Sequence, residues 1–390
     1  MRIAEIAPPW VKVPPEGYGG IEWIVSLLTD GLVERGHEVT LYASGDSTTQ
    51  AGHRPPLEAP AGFGNGSWYD AVNTAAAHSV PAFLEADRYD VIHDHSGAVA
   101  ACLGALSDTP VLHTLHGPFT PVITRLFRVI ADRIYFNSIS DSQRSGCPEL
   151  NYVGTIYNAI QVEACPFCAE KEDYALFLDR FNEDKGAHNA IYIARQVGIP
   201  LRMAGKVDPG ADTEYFEEKV KPHIDGETII FEGEVGGQHK DELLARARFL
   251  LFPIQWEEPF GLVMTEALAC GTPVVATAVG AAPEVVEDGE VGVLVGAGEW
   301  DEMVTAIQSG RLDDIDPHRC REHVEERFSV EKMLDGYEAA FEKILNESKD
   351  GREHASVPEV LPAALQGTEP ALERLRSGTL VQDGRSEIPR

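Results

Sequence analysis

The chain has 390 residues, 43% of them hydrophobic and 24% charged, so at ~100–200 residues per domain it holds two or three domains with their own cores and is not globally disordered. Its 63 acidic residues against 32 basic ones give a net charge of -31, which repels phosphate backbones and anionic lipid surfaces and argues against nucleic-acid binding and electrostatic membrane docking. Six cysteines are too few for a disulfide scaffold at this length.

In chain order, MRIAEIAPPW predicts a buried strand at Arg2–Ala7 and lacks the apolar stretch of a signal peptide. Gly19 and Gly20 then open an amphipathic helix through Ile21, Ile24, Leu27, Leu28 and Leu32, which Gly36 stops. Strands are expected at Val39–Ala43, Asp90–His93, Val111–Thr114 and Ile134–Asn137, with helical stretches between them. The alternation restarts after a break near Asn158–Lys171. Strands are expected there at Tyr174–Leu178, Leu201–Gly205, Thr228–Phe231, Phe249–Pro253, Pro273–Thr277 and Gly292–Val295, and helices at Ala187–Val197, Asp241–Arg248 and Gly261–Cys270. This pattern is α/β, with two doubly wound parallel-sheet domains at 1–160 and 161–328. A final helix fills 329–346, and the scattered prolines, glycines and charges of 347–390 read as a disordered tail, with a short helix near Pro362–Leu365. No run approaches the ~18 apolar residues of a membrane helix, so no membrane insertion is expected. Free cysteines and the missing leader point to the cytoplasm.

In doubly wound sheets ligands bind beyond the carboxyl ends of the strands, where two such domains leave a cleft. The segment EEPFGLVMTEALACGTPVV spans 257–275. Pro259 suits the start of a helix, leaving Glu258 in the loop before it and Glu266 about two turns on. The free N–H groups of Phe260, Gly261 and Leu262 would face an anion such as a nucleotide diphosphate, while the two carboxylates accept hydrogen bonds from sugar and ribose hydroxyls. For a bare pair of glutamates at this spacing an ordinary acidic surface is the simpler reading; PFG before the helix and GTPVV after it favour a site.

This segment resembles the E-x7-E signature of family 4 glycosyltransferases, which have the GT-B fold. The resemblance extends to about Leu345. It implies two Rossmann-like domains facing across a cleft, with the C-terminal helix crossing back onto the first. It further implies transfer of a hexosyl group from a nucleotide-diphosphate sugar with retention of configuration and without a metal or other cofactor, UDP- being favoured over GDP- or ADP-. Arg180 and Lys185, in LFLDRFNEDKGAHNA, match the cations that hold the diphosphate and stabilise its charge as it leaves. Asp179 departs from the family, which has glycine before that arginine; it either weakens donor binding, points away, or pairs with Arg180. Gly19 and Gly20 would let the backbone approach the donor phosphate or the acceptor. GYGG is not the G-x-G-x-x-G dinucleotide fingerprint, which counts against a dehydrogenase.

His116, in LHTLHGPF, resembles the family histidine beside the donor sugar and is read as a contact that orients it, with a loop or capping histidine as the alternative. His93, Asp94 and His95 spell HDH after a strand; with no carboxylate partner in view this is a poor metal site, and the three are read as lining the acceptor side. His113 is expected to pack within its strand. Asn158 matches the asparagine of the interdomain hinge, with Ala159 in place of the usual glycine, and Gly233 and Glu234 fall where the family wraps the nucleobase. Cys165 and Cys168 lack the second pair of a zinc ribbon and read as hinge thiols, and Cys270 as core. Glu284 is either part of a family turn or a helix cap.

The opening VPPEGYGGIEWIVSLLTDGLVERGHEVTLYASGDS resembles a bacterial subgroup that includes pterin glucosyltransferases. With no basic cluster in the first domain, a soluble small-molecule acceptor is expected. A GT-B epimerase and a non-catalytic sugar-nucleotide-binding protein are the other readings.

Overall fold

Short runs of aliphatic and β-branched residues, each followed by a helix, force parallel pairing, because a chain that leaves a strand through a helix re-enters the sheet in the same direction. The computed structural model describes residues 1–17, 19–62 and 67–349. The expected tail therefore lies outside the described residues, except for its first three positions, which continue the last helix.

A seven-stranded sheet comprises β1 (Arg2–Ile6), β2 (Glu38–Tyr42), β3 (Gly52–His53), β4 (Val91–Asp94), β5 (Val111–Leu115), β6 (Tyr135–Ser138) and β7 (Tyr152–Thr155), in the order β3-β2-β1-β4-β5-β6-β7. A six-stranded sheet comprises β8 (Ala175–Leu178), β9 (Leu201–Ala204), β10 (Ile229–Gly233), β11 (Phe249–Phe252), β12 (Val274–Thr277) and β13 (Gly292–Val295), in the order β10-β9-β8-β11-β12-β13. Both sheets are parallel. In each, the chain reverses its direction of travel across the sheet beside its first strand. Crevices open beyond the strand ends at those points, between β1 and β4 and between β8 and β11.

The expected strands are present, shifted by a residue or two at their ends. Two edge strands escaped the pattern. β3 has only two residues, and β7, YVGT, is half-buried along its length and carries a glycine, so neither shows an apolar run or an alternation. The first helix, Gly20–Glu34, buries Ile24, Val25, Leu28 and Leu32, and the turn after it uses Gly36 at φ 86. The helix over 237–246 begins four residues before the expected start, with GQHK as its polar first turn.

The last helix, Val330–Lys349, returns to the first sheet. Met333, Leu334, Tyr337, Phe341 and Ile344 join one cluster with Ile3, Ile24, Leu28 and Leu32. Gly31 makes this contact possible, since a Cβ there would lie 2.6 Å from Leu334 Cδ1. Arg35 pairs with Glu338 at 2.5 Å and Asp335 at 2.8 Å, fixing the helix's rotation.

Glu22, in the first turn of the first helix, is only 2% exposed. Burial pushes its carboxyl up to about 7, against an opposing bond from its own backbone N–H. A raised carboxyl favours the fold while it holds its proton, and that contribution is lost as pH rises through about 7. Glu22→Gln should therefore match the parent near pH 5 and exceed it at pH 8 by about 1–3 kcal/mol. Urea unfolding at both pH values checks this; equal differences at the two would show that the carboxylate is compensated.

Candidate functional site

The cleft between the two sheets has a volume of about 550 Å³, inside the ~300–1,000 Å³ range of ligand pockets. Its first-domain wall includes Gly19, Gly20, His116 and Asn158; its second-domain wall includes Arg180, Lys185, Glu234, Glu258, Gly261, Leu262 and Glu266. Residues far apart in sequence meet here because β8 and β11 are neighbours, and both of their carboxyl-end loops open onto the cleft.

Lys185 is the centre of the second-domain wall. Its Nζ lies 2.6 Å from Glu258 Oε2 and 2.9 Å from Asp179 Oδ2. Burial works against the ammonium, but the two carboxylates outweigh it and hold the Lys185 pKa above the ordinary lysine value. The Glu258 carboxyl is pushed up by burial and pulled back by Lys185, and its Oε2 also accepts from Trp256 Nε1 at 2.9 Å. Asp179 thus pairs with Lys185 rather than with the Arg180 guanidinium, and its other oxygen accepts the Arg180 backbone N–H at 2.7 Å. The Arg180 guanidinium lies 3.4 Å from Asp212 and 3.7 Å from Asp208.

Close backbone approach sets this loop. A Cβ on Gly205, at φ 142, would sit 1.8 Å from the Asp179 carbonyl oxygen, and one on Gly280, at φ 56, 2.3 Å from the Glu258 nitrogen. Gly261, at φ 82, starts the helix Leu262–Ala269. Glu266 meets Lys240 at 2.6 Å, a partner that the sequence reading missed. Lys240 comes from the helix whose start was placed too late, so its position on the cleft was not apparent.

Three expectations change. His93 and Asp94 do not line the cleft: both are fully buried beneath it, because β4 is a central strand covered on both faces. His95, 3% exposed, reaches the cleft only through His116, with its Nδ1 2.8 Å from His116 Nε2. The Phe260 ring, 2% exposed, packs on Tyr157 and Phe328 at the interdomain seam, and the residue still borders the cleft before helix Leu262–Ala269 as expected. HDH also has a carboxylate partner after all, Glu5 of β1, which register places directly beside His93.

His113 is buried in its strand as expected, with Nδ1 2.6 Å from Asp94. Burial lowers the His116 pKa well below the ordinary histidine value, so the ring is neutral. Glu284 is a cap, but of a helix in the other domain: it accepts the N–H groups of Asp141 and Ser142, each at 2.7 Å. Cys165 lines the cleft, and Cys165, Cys168 and Cys270 are free thiols.

Two family models match the chain, "Glycosyltransferase Family 4" over residues 18–146 and "Glycosyl transferases group 1" over 166–327. The chain belongs to the family 4 glycosyltransferases. It is similar to the N-acetyl-alpha-D-glucosaminyl L-malate synthase of Bacillus anthracis, 25% identical over 374 residues, covering 86% of this chain and 96% of that one. It is also similar to the solved structure of AviGT4, a glycosyltransferase of avilamycin A biosynthesis, at TM-score 0.67 and 27% identity, covering 89% of this chain and 98% of that one. The fold alone is shared with Anabaena HepE, solved with UDP and glucose, at TM-score 0.66 and 19% identity over 88% of this chain and 100% of that one. The glycosyltransferase is thus a hexosyltransferase of GT-B fold that takes its sugar from a nucleotide sugar. The epimerase and binding-protein readings are not favoured. No helix among the described residues is long and apolar enough to cross a membrane.

In this glycosyltransferase Asp179 occupies one side of the Lys185 ammonium, so any anion that binds there has to share it. Removing one unit of charge about 3 Å from the ammonium is worth on the order of 1 kcal/mol at a partly screened site. Asp179→Asn keeps the cap on the Arg180 N–H and should lower the donor KM about fivefold with kcat little changed. Initial rates against donor concentration check this; a raised KM would mean that Asp179 serves to orient Lys185.

Proposed function

We propose that the enzyme transfers a hexosyl group, with retention, from a nucleoside diphosphate hexose, UDP- before GDP- or ADP-, to a soluble small-molecule acceptor. The observation that carries this is Lys185, held between Glu258 and Asp179 beside the amino end of helix Leu262–Ala269 and facing Gly19, Gly20 and His116 across the cleft. The diphosphate lies on the helix N–H groups and Lys185, with Arg180 at its rim. As the bond from sugar C1 to the diphosphate oxygen breaks, the leaving group takes the electron pair, and these cations stabilise its charge. The acceptor hydroxyl attacks C1 from the same face and its proton passes to the departing phosphate oxygen, so no protein base is needed. His116 orients the sugar, Glu258 accepts from its hydroxyls, Glu266 accepts from the ribose, and the loop of Gly233 and Glu234 borders the base.

The UDP preference is supported by the fold shared with HepE, whose crystals hold UDP and glucose. The soluble acceptor is supported by the malate named for the Bacillus relative and by the net charge of -31, which opposes anionic membranes.

The test is a panel of nucleotide sugars, with binding by calorimetry and release of the nucleoside diphosphate with and without a pool of small hydroxylated acceptors. One donor should bind, be hydrolysed slowly alone, and react faster with an acceptor to give a product that keeps the donor's anomeric configuration by NMR. Lys185→Met, which fills the side-chain space but leaves Glu258 and Asp179 without their cation, should, once shown to be folded, lose at least about 100-fold in kcat. Absence of binding to every donor, or an inverted product, would overturn the reading.

A further inference from the structure

Beneath the cleft floor, Glu5 of β1 pairs in register with His93 of β4, and His95 follows two residues later on the same face. The three side chains come together. Glu5 Oε2 lies 3.0 Å from His93 Nδ1 and 3.3 Å from His95 Nε2, and those two nitrogens are 3.2 Å apart. A tetrahedral zinc ion bound at ~2.0–2.2 Å by nitrogen and carboxylate oxygen has ligand-to-ligand edges of ~3.3 Å. The triangle has the size of one face of such a tetrahedron.

The hydrogen bonds outside the triangle decide what points into it. Thr114 Oγ1 gives its single proton to Asn137 Oδ1 at 2.6 Å. It must therefore accept at its 2.7 Å contact with His93 Nε2, which makes Nε2 the protonated nitrogen of His93. His93 Nδ1 then carries a lone pair and faces both oxygens of the Glu5 carboxyl, Oε1 at 3.2 Å and Oε2 at 3.0 Å. The nearer oxygen, Glu5 Oε2, is fully buried and has no hydrogen-bond partner. A lone pair and a carboxyl oxygen held together away from water are costly unless a proton or a metal ion lies between them. The outer nitrogen of His95 is engaged by His116 at 2.8 Å, as metal-bound histidines are typically braced.

We propose that Glu5, His93 and His95 bind one zinc-class divalent transition metal ion, which ties β1 to β4 under the final helix and, through His95, fixes the ring of His116 at the cleft. Two imidazoles and a carboxylate suit zinc, and three protein ligands leave one corner for water. Among the described residues this is the only group of His, Cys, Asp and Glu atoms that converges in this way. The sugar-transfer chemistry proposed above does not depend on it.

The test uses the full chain without an affinity tag. Metal content is measured by mass spectrometry as purified, then zinc is titrated into chelator-treated protein against a competing chelator, and cobalt is added as a spectroscopic probe. The expected result is about one zinc per chain, a higher Tm than the metal-free form, and the visible absorption of tetrahedral cobalt. Glu5→Gln, which preserves shape, and His95→Asn should each weaken zinc binding at least 100-fold. A folded parent chain that binds no zinc would overturn the proposal and leave a proton shared within the triangle. Binding that survives both substitutions would overturn it too, placing the ion elsewhere.

Discussion

The site rests on the pairing of Lys185 with Glu258 and Asp179. A chain of net charge -31 that handles a nucleotide diphosphate has to concentrate its few cations where the anion binds. It must also hold them there when no anion is present. A half-buried lysine without a partner would be driven to lose its proton; between two carboxylates it keeps its charge and a single geometry. Arg180 with Asp208 and Asp212, and Lys240 with Glu266, repeat the arrangement around the same cleft. Preorganisation therefore comes with competition, since any anion that binds these cations must displace or share acidic partners that the fold supplies in excess.

The same cleft depends on how the two sheets are held. Glu284 reaches from the second domain to two backbone N–H groups at 141 and 142, and Tyr157 donates to it at 3.1 Å. Phe260 and Phe328 pack on Tyr157, and Ile160 bridges to Ser329 where the chain turns back. A Cβ on Gly20 would lie 3.3 Å from Leu262 Cδ1, so the amino ends of the two helices that border the cleft are already close. A rearrangement that opened the cleft would have to break the Glu284 bonds, which are short and charge-assisted.

Much of this was legible in the sequence. The strand and helix order follows from apolar runs and glycine stops, and E-x7-E with the Arg–Lys pair marked one wall of the cleft before any geometry was known. Contacts set by register across strands, or by an element's rotation, were not legible. Nothing near Glu5 in the chain announces that β1 places it against His93, since the strand order that makes them neighbours is a property of the whole sheet. Asp179 could be seen as a departure but not assigned a partner, because the choice between Arg180 and Lys185 depends on which way the loop after β8 turns. Lys240 was hidden by a helix start misread from polar residues, and Glu284 by a partner 143 positions away.

The layer around His93 also explains why the final helix docks where it does. An apolar helix on an apolar sheet can slide or rotate at little cost, because burial alone is not directional. Here Tyr337 and Phe341 lie against the His93 ring, with centroids 4.8 and 5.4 Å away. The Tyr337 hydroxyl is 3.2 Å from Thr114 Oγ1 and accepts from Asn137 Nδ2 at 3.4 Å. A shift of the helix by one residue would leave that hydroxyl buried and unpaired, at a cost of about 1–3 kcal/mol, and would also separate Arg35 from Glu338. The polar layer thus gives the docking its register, while Leu334, Phe341 and Ile344 give it most of its free energy. The ordering of the strand ends under the cleft, and through His95 the placing of His116, is in this way coupled to a helix that does not itself line the cleft.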